Sequence, residues 1–447
     1  MSDTIVAISS APGRGALSIV RLSGPAVVAI AEELLTPFPA RPRRATLAVA
    51  RNPRDGVVLD QLIATRFEAP ASYTGEAMLE LICHGGMATS RAVLAGCLAL
   101  GARVALPGEF TRRALLNGKL DFAQAEALPE LIDAGSEPMR RIALGAVGGG
   151  LSKRIAELRD AILHVEALMA YSVDFPEEDD GEIPRSRVLE LAAHVQEQVG
   201  TLLNTAARGT IIRDGALIVC AGPPNAGKSS LFNAILGQDR AIVTDIPGTT
   251  RDAVEHPCMI GAWPVRLVDT AGLRETGDLV ERLGIEVSER YLKDADVTVV
   301  CSDGTAGPLE ELATTVRALG AQAIVCVETK LDLRHWLATG SDGSIWVSAK
   351  TGEGLPELKS AIADELERRV GRVDYESPVI TQMRHKLALE RAAEELELFV
   401  TALASEVTPT VAATHLRAAV GALEEIIGAV TVEDLLDQVF SRFCIGK

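Results

Sequence analysis

The residue types best suited to chemistry form a glycine-rich loop at residues 222–229, which reads Gly-Pro-Pro-Asn-Ala-Gly-Lys-Ser. The loop fits the pattern G-x-x-x-x-G-K-[ST], in which backbone N–H groups wrap phosphates and the hydroxyl binds Mg²⁺. The apolar run Ala216–Ala221 before it predicts a buried strand, and residues 230–236 predict the start of a helix whose N-terminus favours anions. This context predicts a nucleoside triphosphate site in which Lys228 reaches the β- and γ-phosphates and Ser229 binds the metal.

A second motif for the phosphates lies about forty residues downstream. Residues 269–272 read Asp-Thr-Ala-Gly and follow the apolar run 265–268. A D-x-x-G after a strand puts its aspartate near Mg²⁺ and its glycine N–H on the γ-phosphate. Two more apolar runs, at 296–301 and 323–327, have the composition of central parallel strands.

The base-reading part of the site follows these strands. Residues 329–332 read Thr-Lys-Leu-Asp and resemble the N-K-x-D motif, whose aspartate accepts both N–H groups of the guanine edge. Ser-Ala-Lys at 348–350 follows a predicted strand at 344–347 and matches a motif whose backbone N–H meets the guanine O6. Thr329 replaces the usual asparagine, which braces the phosphate loop and the base. We therefore expect Asp332 to preserve guanine selectivity, with micromolar rather than tighter GTP affinity.

The elements that position these motifs predict a multidomain α/β plus all-α chain. Residues 1–118 alternate strands and helices, and from residue 120 apolar residues recur at helical spacing until the first strand of the nucleotide-binding domain. We predict an N-terminal α/β domain at 1–118 and a helical domain made of two halves, at 119–213 and 372–447. Between these halves lies an inserted Ras-like P-loop GTPase domain at 214–371, with a mostly parallel sheet and helices on both faces.

More finely, the predicted strands of the N-terminal domain are 4–9, 17–22, 46–50, 62–67 and 78–83, and its predicted helices are 26–35 and 87–100. After the inserted domain, a helix from Leu355 and a helical region at 377–440 are predicted.

The composition is that of a protein with buried cores. The 447 residues are 47% hydrophobic, enough for two or three domains. The seven cysteines are scattered without metal spacing, which predicts neither a disulfide framework nor a zinc site. The N-terminus lacks the features of a signal peptide, and no run reaches the roughly 18 apolar residues of a membrane span. We expect a cytoplasmic protein without a membrane span.

The net charge of −17 is unevenly spread. Residues 1–118 hold 12 Lys/Arg and 9 Asp/Glu, a net of +3, while the remainder holds 32 basic and 52 acidic residues, a net of −20. Because neutralisation of phosphates dominates nucleic-acid affinity, this charge argues against strong independent RNA binding. An RNA substrate would have to be shared with a basic partner.

Several strings outside the four motifs coincide in one known family. They are Gly-Thr-Thr-Arg-Asp at 248–252, Asn225 inside the phosphate loop, Pro-Gly-Glu-Phe-Thr-Arg-Arg-Ala at 107–114, Asn-Gly-Lys-Leu-Asp at 117–121 and the terminal Phe-Cys-Ile-Gly-Lys at 443–447. Together they resemble the MnmE (TrmE) family of tRNA modification GTPases over essentially the whole chain. The resemblance implies a homodimer that works with the flavoprotein MnmG (GidA), in a heterotetramer or larger complex, and installs an aminomethyl or carboxymethylaminomethyl group at C5 of the wobble uridine of certain tRNAs.

The residue after the D-x-x-G motif raises the question of how the attacking water is positioned for hydrolysis. Many GTPases carry glutamine after the D-x-x-G, but here Leu273 cannot bond water. The resemblance implies that Glu281 orients the water and that K⁺ takes the place of an arginine finger. An ordinary solvated helix carboxylate remains the alternative for Glu281, and Arg274 is a second candidate for charge stabilisation.

The resemblance also assigns ligands and nucleotide contacts. Mg²⁺ would be held by Ser229 and Thr250, and K⁺ by Asn225, Thr244, Ile246 and Thr249. The full predicted GTP-binding set is Asn225, Ala226, Gly227, Lys228, Ser229, Ser230, Thr244, Asp245, Ile246, Pro247, Gly248, Thr249, Thr250, Asp269, Thr270, Ala271, Gly272, Lys330, Asp332, Ser348, Ala349 and Lys350.

A second site is implied in the N-terminal domain, where family members bind a folate at the dimer. The matching positions here are Arg21, Glu80, Lys119 and Lys447, for 5-formyl- or methylene-tetrahydrofolate. Arg and Lys suit the carboxylates of a folate tail, and Glu80 suits the donor edge of the pterin. From the residues alone, a cross-strand ion pair between Arg21 and Glu80 is the favoured interpretation, and the resemblance to the family reverses this preference.

Cys444, near the C-terminus, is a candidate nucleophile toward the uridine ring or the one-carbon unit, with a packing thiol as the alternative. Two rival functions stay open. A ribosome-assembly GTPase would need a basic RNA-binding domain, which the sequence does not show. A folate enzyme in which the GTPase is only a scaffold would modify tRNA normally after loss of Glu281.

Overall fold

The structure, a computed structural model, describes residues 3–174, 184–238, 255–269, 290–305, 308–333, 343–372, 374, 376–405, 408–428, 443 and 446. The chain divides into two compact units. The first comprises Met1–Pro129 and Glu424–Lys447, and the second comprises Glu130–Leu423. Each unit has its own sheet.

The first unit is built on a seven-stranded sheet. Its strands are Ile5–Ile8 (β1), Leu17–Ser23 (β2), Leu35–Thr36 (β3), Thr46–Arg51 (β4), Val58–Phe67 (β5), Met78–His84 (β6) and Arg103–Val104 (β7). The order across the sheet is β3-β4-β5-β6-β2-β1-β7, and neighbours are antiparallel except β1 and β7. The helices that follow these strands are Val27–Leu34 (α1), Met87–Ala99 (α2), Glu109–Leu116 (α3) and Phe122–Ile132 (α4).

The two faces of this sheet differ because side chains alternate along each strand. In β6, Leu79 and Leu81 are fully buried in the core that α1 and α2 form on one face. Glu80, Ile82 and His84 therefore lie on the opposite face. At the β1 end that opposite face is covered by α3, whose Phe110 is fully buried. On β2, β5 and β4 this face carries exposed apolar side chains, among them Leu17, Ile63 and Leu47, and on β6 the half-buried Ile82.

The second unit contains a six-stranded, mostly parallel sheet. Its strands are Ala216–Ala221 (β8), Glu255–Ile260 (β9), Trp263–Asp269 (β10), Val297–Ser302 (β11), Ile324–Glu328 (β12) and Ile345–Trp346 (β13). The order is β13-β12-β11-β8-β10-β9, and only the edge pair β9 and β10 is antiparallel. Eight described helices lie wholly in this unit: Glu137–Val147 (α5), Gly150–Asp174 (α6), Arg185–Leu203 (α7), Thr205–Asp214 (α8), Lys228–Gln238 (α9), Leu309–Ala318 (α10), Leu355–Val370 (α11) and Met383–Ala404 (α12). The last described helix, Pro409–Ile427 (α13), begins in this unit and ends four residues beyond it.

Both faces of the second sheet are covered by helices. Alternate residues of β8, such as Ile218, join one core with α9 and α11, while their neighbours, such as Val219, join a second core with α10. A strand buried on both faces explains why residues 216–221 form an unbroken apolar run. The predicted Ras-like P-loop arrangement is confirmed.

Of the remaining helices of the second unit, α5 and α8 join the core on one face of the sheet, whereas α6, α7 and α12 pack mainly on other helices. The predicted apolar stripe of α6, which includes Ile155, Leu158 and Ile162, is buried. Helix α7 contacts both α6 and α12, so helices that precede and follow the second sheet in sequence pack together. This packing is compatible with an inserted nucleotide-binding domain, although the boundaries at 118, 213 and 371 stay a prediction. Within the described ranges, no helix combines the length and the apolar character that crossing a membrane requires.

Most predicted strands and helices occur within one or two residues of their predicted bounds. The main differences are in polar or short segments. β5 begins at Val58, four residues earlier than predicted. Its first residues include the polar Asp60 and Gln61, which hide the strand from a search for apolar runs. Helix α12 begins at Met383 rather than at 377. The two-residue strands β3 and β7 are too short to show a period, and α3 was not predicted.

Candidate functional site

The phosphate loop is shaped by residues that accept unusual backbone conformations. Gly222 has φ 147°, and a Cβ at this position would lie 2.2 Å from the carbonyl oxygen of Cys301, so only glycine fits. Asn225 follows at φ 61°, in the left-handed region that asparagine tolerates. Its side chain is exposed at the tip of the loop.

The phosphate-loop lysine is held by the loop itself. Lys228 is only 6% exposed, and its ammonium donates to the carbonyl oxygens of Gly222 at 3.0 Å and Pro223 at 2.8 Å. Ser229 and Ser230 are exposed in the first turn of α9. This arrangement puts a positive charge, free hydroxyls and a helix N-terminus at one end of β8, which suits a polyphosphate with Mg²⁺.

Thr329 connects the guanine-reading segment to the phosphate loop. Its hydroxyl lies 2.7 Å from the carbonyl oxygen of Ala226 and 3.2 Å from that of Ser302, and the residue is 4% exposed. Because the hydroxyl has a single proton, it donates to the nearer acceptor, the carbonyl oxygen of Ala226. The threonine therefore retains the brace on the phosphate loop that the usual asparagine provides, which the sequence did not reveal.

Lys330 is anchored by an acidic residue that no motif predicted. Its ammonium lies 2.7 Å from Oδ2 of Asp303, just beyond the end of β11. The hydrogen bond from Lys330, supported by bonds from Thr305, holds the pKa of Asp303 well below its ordinary value. The pair thus fixes Lys330, whose backbone has φ 61°, within the predicted base-reading segment at 329–332. The available signal was the position of Asp303 directly after a parallel strand.

The carboxylate of Asp332, which is predicted to bind the guanine edge, is oriented by the Ser-Ala-Lys segment. The Ser348 hydroxyl donates to Oδ1 of Asp332 at 2.8 Å and accepts from the backbone N–H of Thr351 at 3.2 Å. Ser348 is fully buried, with Ala349 half-buried and Lys350 exposed after it. The sequence predicted both segments but not this bond between them.

The predicted motifs meet at one edge of the second sheet. The carboxyl ends of β8, β11, β12 and β13 lead to the phosphate loop, Asp303, Thr329 and Ser348, and Asp269 ends β10 beside Cys220 of β8. This edge is where open α/β sheets bind nucleotides. The predicted site residues outside the described part of the chain are Thr244, Asp245, Ile246, Pro247, Gly248, Thr249, Thr250, Thr270, Ala271, Gly272, Glu281, Cys444 and Lys447.

In the first unit, Arg21 and Glu80 face each other across β2 and β6. Nε and Nη2 of Arg21 donate to Oε1 of Glu80 at 3.0 and 2.8 Å. The guanidinium also lies 5.6 Å from the ring centre of Tyr73 and 5.8 Å from that of Phe110. The cross-strand ion pair considered from the sequence is present, and a fifth or more of each side chain stays exposed to a ligand. Lys119 is exposed and donates to the carbonyl of Pro70 at 3.2 Å.

A buried charge network near this pair was not predicted. Arg113 is fully buried and bonds to Asp3, Glu76 and Glu109, and Arg103 also pairs with Glu109 and Asp3. Arg113 and Glu109 lie one turn apart on α3. Sequence gives no sign of burial for charged residues, which are exposed in most proteins.

The end of the chain also reaches the first unit. Phe443 packs in a core cluster with Phe122 and Ala125. Gly446 has φ 101°, and a Cβ there would lie 2.6 Å from the carbonyl oxygen of Ile8. Gly446 of the terminal motif therefore lies against the end of β1, while Phe443 packs on α4.

Comparison with known proteins identifies the family of this chain. A family model described as the MnmE helical domain matches residues 122–444, and one described as the GTP-binding protein TrmE N-terminus matches residues 4–119. The chain belongs to the MnmE family. Curated members named tRNA modification GTPase MnmE include those of Azoarcus sp. (strain BH72), 42% identical over all of this chain and 98% of that protein, and of Aquifex aeolicus (strain VF5), 41% identical over 100% of both.

Solved structures similar to this chain include the G domain of the FeoB iron transporter of T. maritima. That protein is 25% identical, and the match covers 34% of this chain and 98% of that one with a TM-score of 0.25. A score this low carries no further conclusion. The assignment to the MnmE family is independent of it, since the curated MnmE relatives match along the whole chain.

Proposed function

We propose that this MnmE-family chain binds and hydrolyses GTP and that it acts in tRNA modification. The observation that carries the proposal is the meeting of Lys228, the Thr329 brace and the Ser348–Asp332 bond at one sheet edge. An ammonium for phosphates and an oriented carboxylate for the guanine edge are the groups that GTP requires. The curated relatives, which match the entire chain, bear the same activity in their names.

Hydrolysis requires a group to orient water, and Leu273 cannot do so. In our proposal Glu281 takes that role, with Arg274 as the second candidate for charge stabilisation. K⁺ held by Asn225, Thr244, Ile246 and Thr249 would supply positive charge near the phosphates, and Mg²⁺ held by Ser229 and Thr250 would offset the negative charge of the phosphate oxygens. The exposed side chain of Asn225 and the exposed Ser229 hydroxyl fit these ions.

The proposal includes dimerisation at two places. Nucleotide-dependent contact between the GTP-binding domains of two copies would accompany K⁺ action. In the N-terminal domain, one row of the open sheet face runs through Leu47, Ile63, Ile82 and Ile19, which are register partners on four strands. Leu47 is 62% and Ile63 40% exposed, which favours burial against a second copy of the chain.

A folate would bind beside that row in our proposal. The Arg21–Glu80 pair presents a positive group for the folate carboxylates and an acceptor for the pterin donor edge. Lys119 and Lys447 would supply further positive charge. When bound, 5-formyl- or methylene-tetrahydrofolate would donate a one-carbon unit.

The acceptor of that unit, in our proposal, is C5 of the wobble uridine, with the flavoprotein MnmG sharing the tRNA. The net charge of −17 supports a need for a basic partner, since phosphate contacts dominate RNA affinity. The product would be an aminomethyl or carboxymethylaminomethyl group, formed in a cytoplasmic complex of two or more copies of each protein. Cys444 is the proposed nucleophile.

The experiment that tests this function is nucleoside analysis of tRNA from cells without the chain. We expect wobble uridines to lose their C5 substituent, and the wild-type chain to restore it. Restoration by Lys228→Ala, which lacks the phosphate-binding ammonium, would contradict a role for GTP. Full modification by Cys444→Ser would show that Cys444 is not the nucleophile, and it would not affect the other parts of the proposal.

A further inference from the structure

An exposed imidazole in the first unit is fixed by a nearly buried carboxylate. Nδ1 of His84 lies 2.7 Å from Oδ1 of Asp60, and the backbone N–H of His84 donates to Oδ2 of Asp60 at 2.9 Å. The His84 side chain is 72% exposed, whereas that of Asp60 is 9% exposed. Both carboxylate oxygens of Asp60 therefore bond to His84, which lies 24 positions away at the end of the neighbouring strand.

This arrangement determines which nitrogen of His84 is available. A carboxylate only accepts hydrogen bonds, so Nδ1 carries the hydrogen and Nε2 presents its lone pair. An imidazole oriented in this way is suited to act as a general base.

His84 lies on the same sheet face as the Arg21–Glu80 pair. Glu80, Ile82 and His84 alternate along β6, which separates the carboxylate and the imidazole by about 13 Å of strand. Between them runs the apolar row through Ile82 and its register partners Ile19 and Ile63. At the β6–β2 end of this row, over Ile82 and Ile19 and away from the exposed Leu47 and Ile63, a flat ring would have the ion pair on one side and the imidazole on the other.

The terminal motif reaches the same end of the sheet. β1 and β6 are both antiparallel to β2, so they run in the same direction and end on the same side. Gly446 packs against Ile8, the last residue of β1, and His84 is the last residue of β6. The imidazole and the described part of the C-terminal motif thus lie at one end of one sheet.

The geometry points to His84 as the base that takes the proton leaving C5 of the target uridine, with Asp60 as its positioning residue. The inference rests on the proposed function. Replacing hydrogen by carbon at C5 breaks the C5–H bond. Nε2 of His84 takes the proton and forms an N–H bond. The electron pair of the broken C5–H bond forms the C5–C6 double bond. The thiolate-class nucleophile that had added at C6 leaves with the electron pair of its own bond to C6.

The test measures tritium released from tRNA that carries [5-³H]uridine at the wobble position, with the full chain, the flavoprotein, GTP and methylene-tetrahydrofolate. In His84→Asn the amide nitrogen replaces Nδ1 and keeps the bond to Asp60, but Nε2 is lost. We expect release to fall by roughly a hundredfold or more, the usual contribution of a general base. Added imidazole should partly restore His84→Ala, which a purely structural role would not allow.

Controls separate this inference from its alternatives. GTP hydrolysis and 5-formyl-tetrahydrofolate binding should stay at wild-type values in His84→Asn. His194→Asn removes another exposed imidazole, bonded to Gln198 on α7, and should leave tritium release unchanged. Wild-type release by both His84 variants, or a fall that imidazole does not restore, would overturn the role of His84. Failure of the wild-type chain to release tritium would instead overturn the proposed function on which it rests.

Discussion

The hydroxyl of Thr329 donates to the carbonyl oxygen of Ala226 at 2.7 Å, which ties the guanine-reading segment to the phosphate loop. The bond is buried and spans 103 residues of sequence. It links the ends of β12 and β8, two strands separated by β11 in the sheet. A threonine in the asparagine position therefore keeps one of the two functions of the asparagine.

Removing this hydroxyl should weaken nucleotide binding. We expect Thr329→Val to raise the Kd for GTP by about fivefold, because a buried hydrogen bond contributes on the order of 1 kcal/mol. Thr329→Ser keeps the hydroxyl and is the matched control, with a Kd near wild type. Calorimetry on both variants checks this, and equal affinities for Val and Ser would show that the brace has no role in binding. For the wild type we expect micromolar affinity, and a low nanomolar value would contradict this.

The contact of the terminal motif with β1 should be sensitive to a single methyl group. Gly446→Ala would place a Cβ 2.6 Å from the carbonyl oxygen of Ile8 at a φ of 101°, which alanine rarely adopts. We expect loss of tRNA modification with unchanged GTP turnover. Gly421→Ala on α13 is the control, since a Cβ there meets nothing within 4 Å. Normal modification by Gly446→Ala would argue against any role for this contact.

The buried network on α3 should make the first unit less stable in acid. The hydrogen bond from Arg103 lowers the pKa of Asp3. For Glu109, burial favours the neutral acid, but bonds from Arg103, the Leu106 N–H and Arg113 outweigh it and the pKa is also lowered. A carboxyl with a lowered pKa stabilises the fold above its unfolded pKa, near 4. This stabilisation is lost as the pH falls.

Glu109→Gln tests that network. At pH 7 the change leaves Arg113 buried with one fewer anion, and we expect a loss of roughly 3 kcal/mol in the opening free energy of β1 amides. The difference from wild type should shrink as the pH falls, because Glu109 itself is then protonated. Hydrogen exchange at two pH values measures both quantities. A difference that is the same at pH 7 and in acid would show that charge is not the cause.

The limits of sequence prediction differ between the two sites. Residues 216–221 were predicted to the residue, because a strand buried on both faces is uniformly apolar. The phosphate loop was predicted because its chemistry constrains consecutive residues. Asp303 and Arg113 were missed because their partners are distant in sequence or their burial is unusual for charged groups. The His84–Asp60 pair was missed for the same reason.

Loss of the proposed water-orienting carboxylate should separate binding from turnover. Glu281 lies outside the described residues, and its role is a prediction from the family. We expect Glu281→Ala to lower the GTP hydrolysis rate by roughly a hundredfold or more with little change in GTP affinity. Normal tRNA modification by this variant would favour the alternative in which the GTPase domain is only a scaffold.

In our proposal, a bound monovalent cation and a distant carboxylate replace the glutamine that position 273 lacks. The most direct test is the GTP turnover rate in K⁺ and in Na⁺ at equal ionic strength, for wild type and Asn225→Ala. We predict a rate at least about tenfold higher in K⁺ for the wild type, equivalent to roughly 1.4 kcal/mol of transition-state stabilisation. The variant should lose this difference. Equal wild-type rates in the two salts would contradict the account.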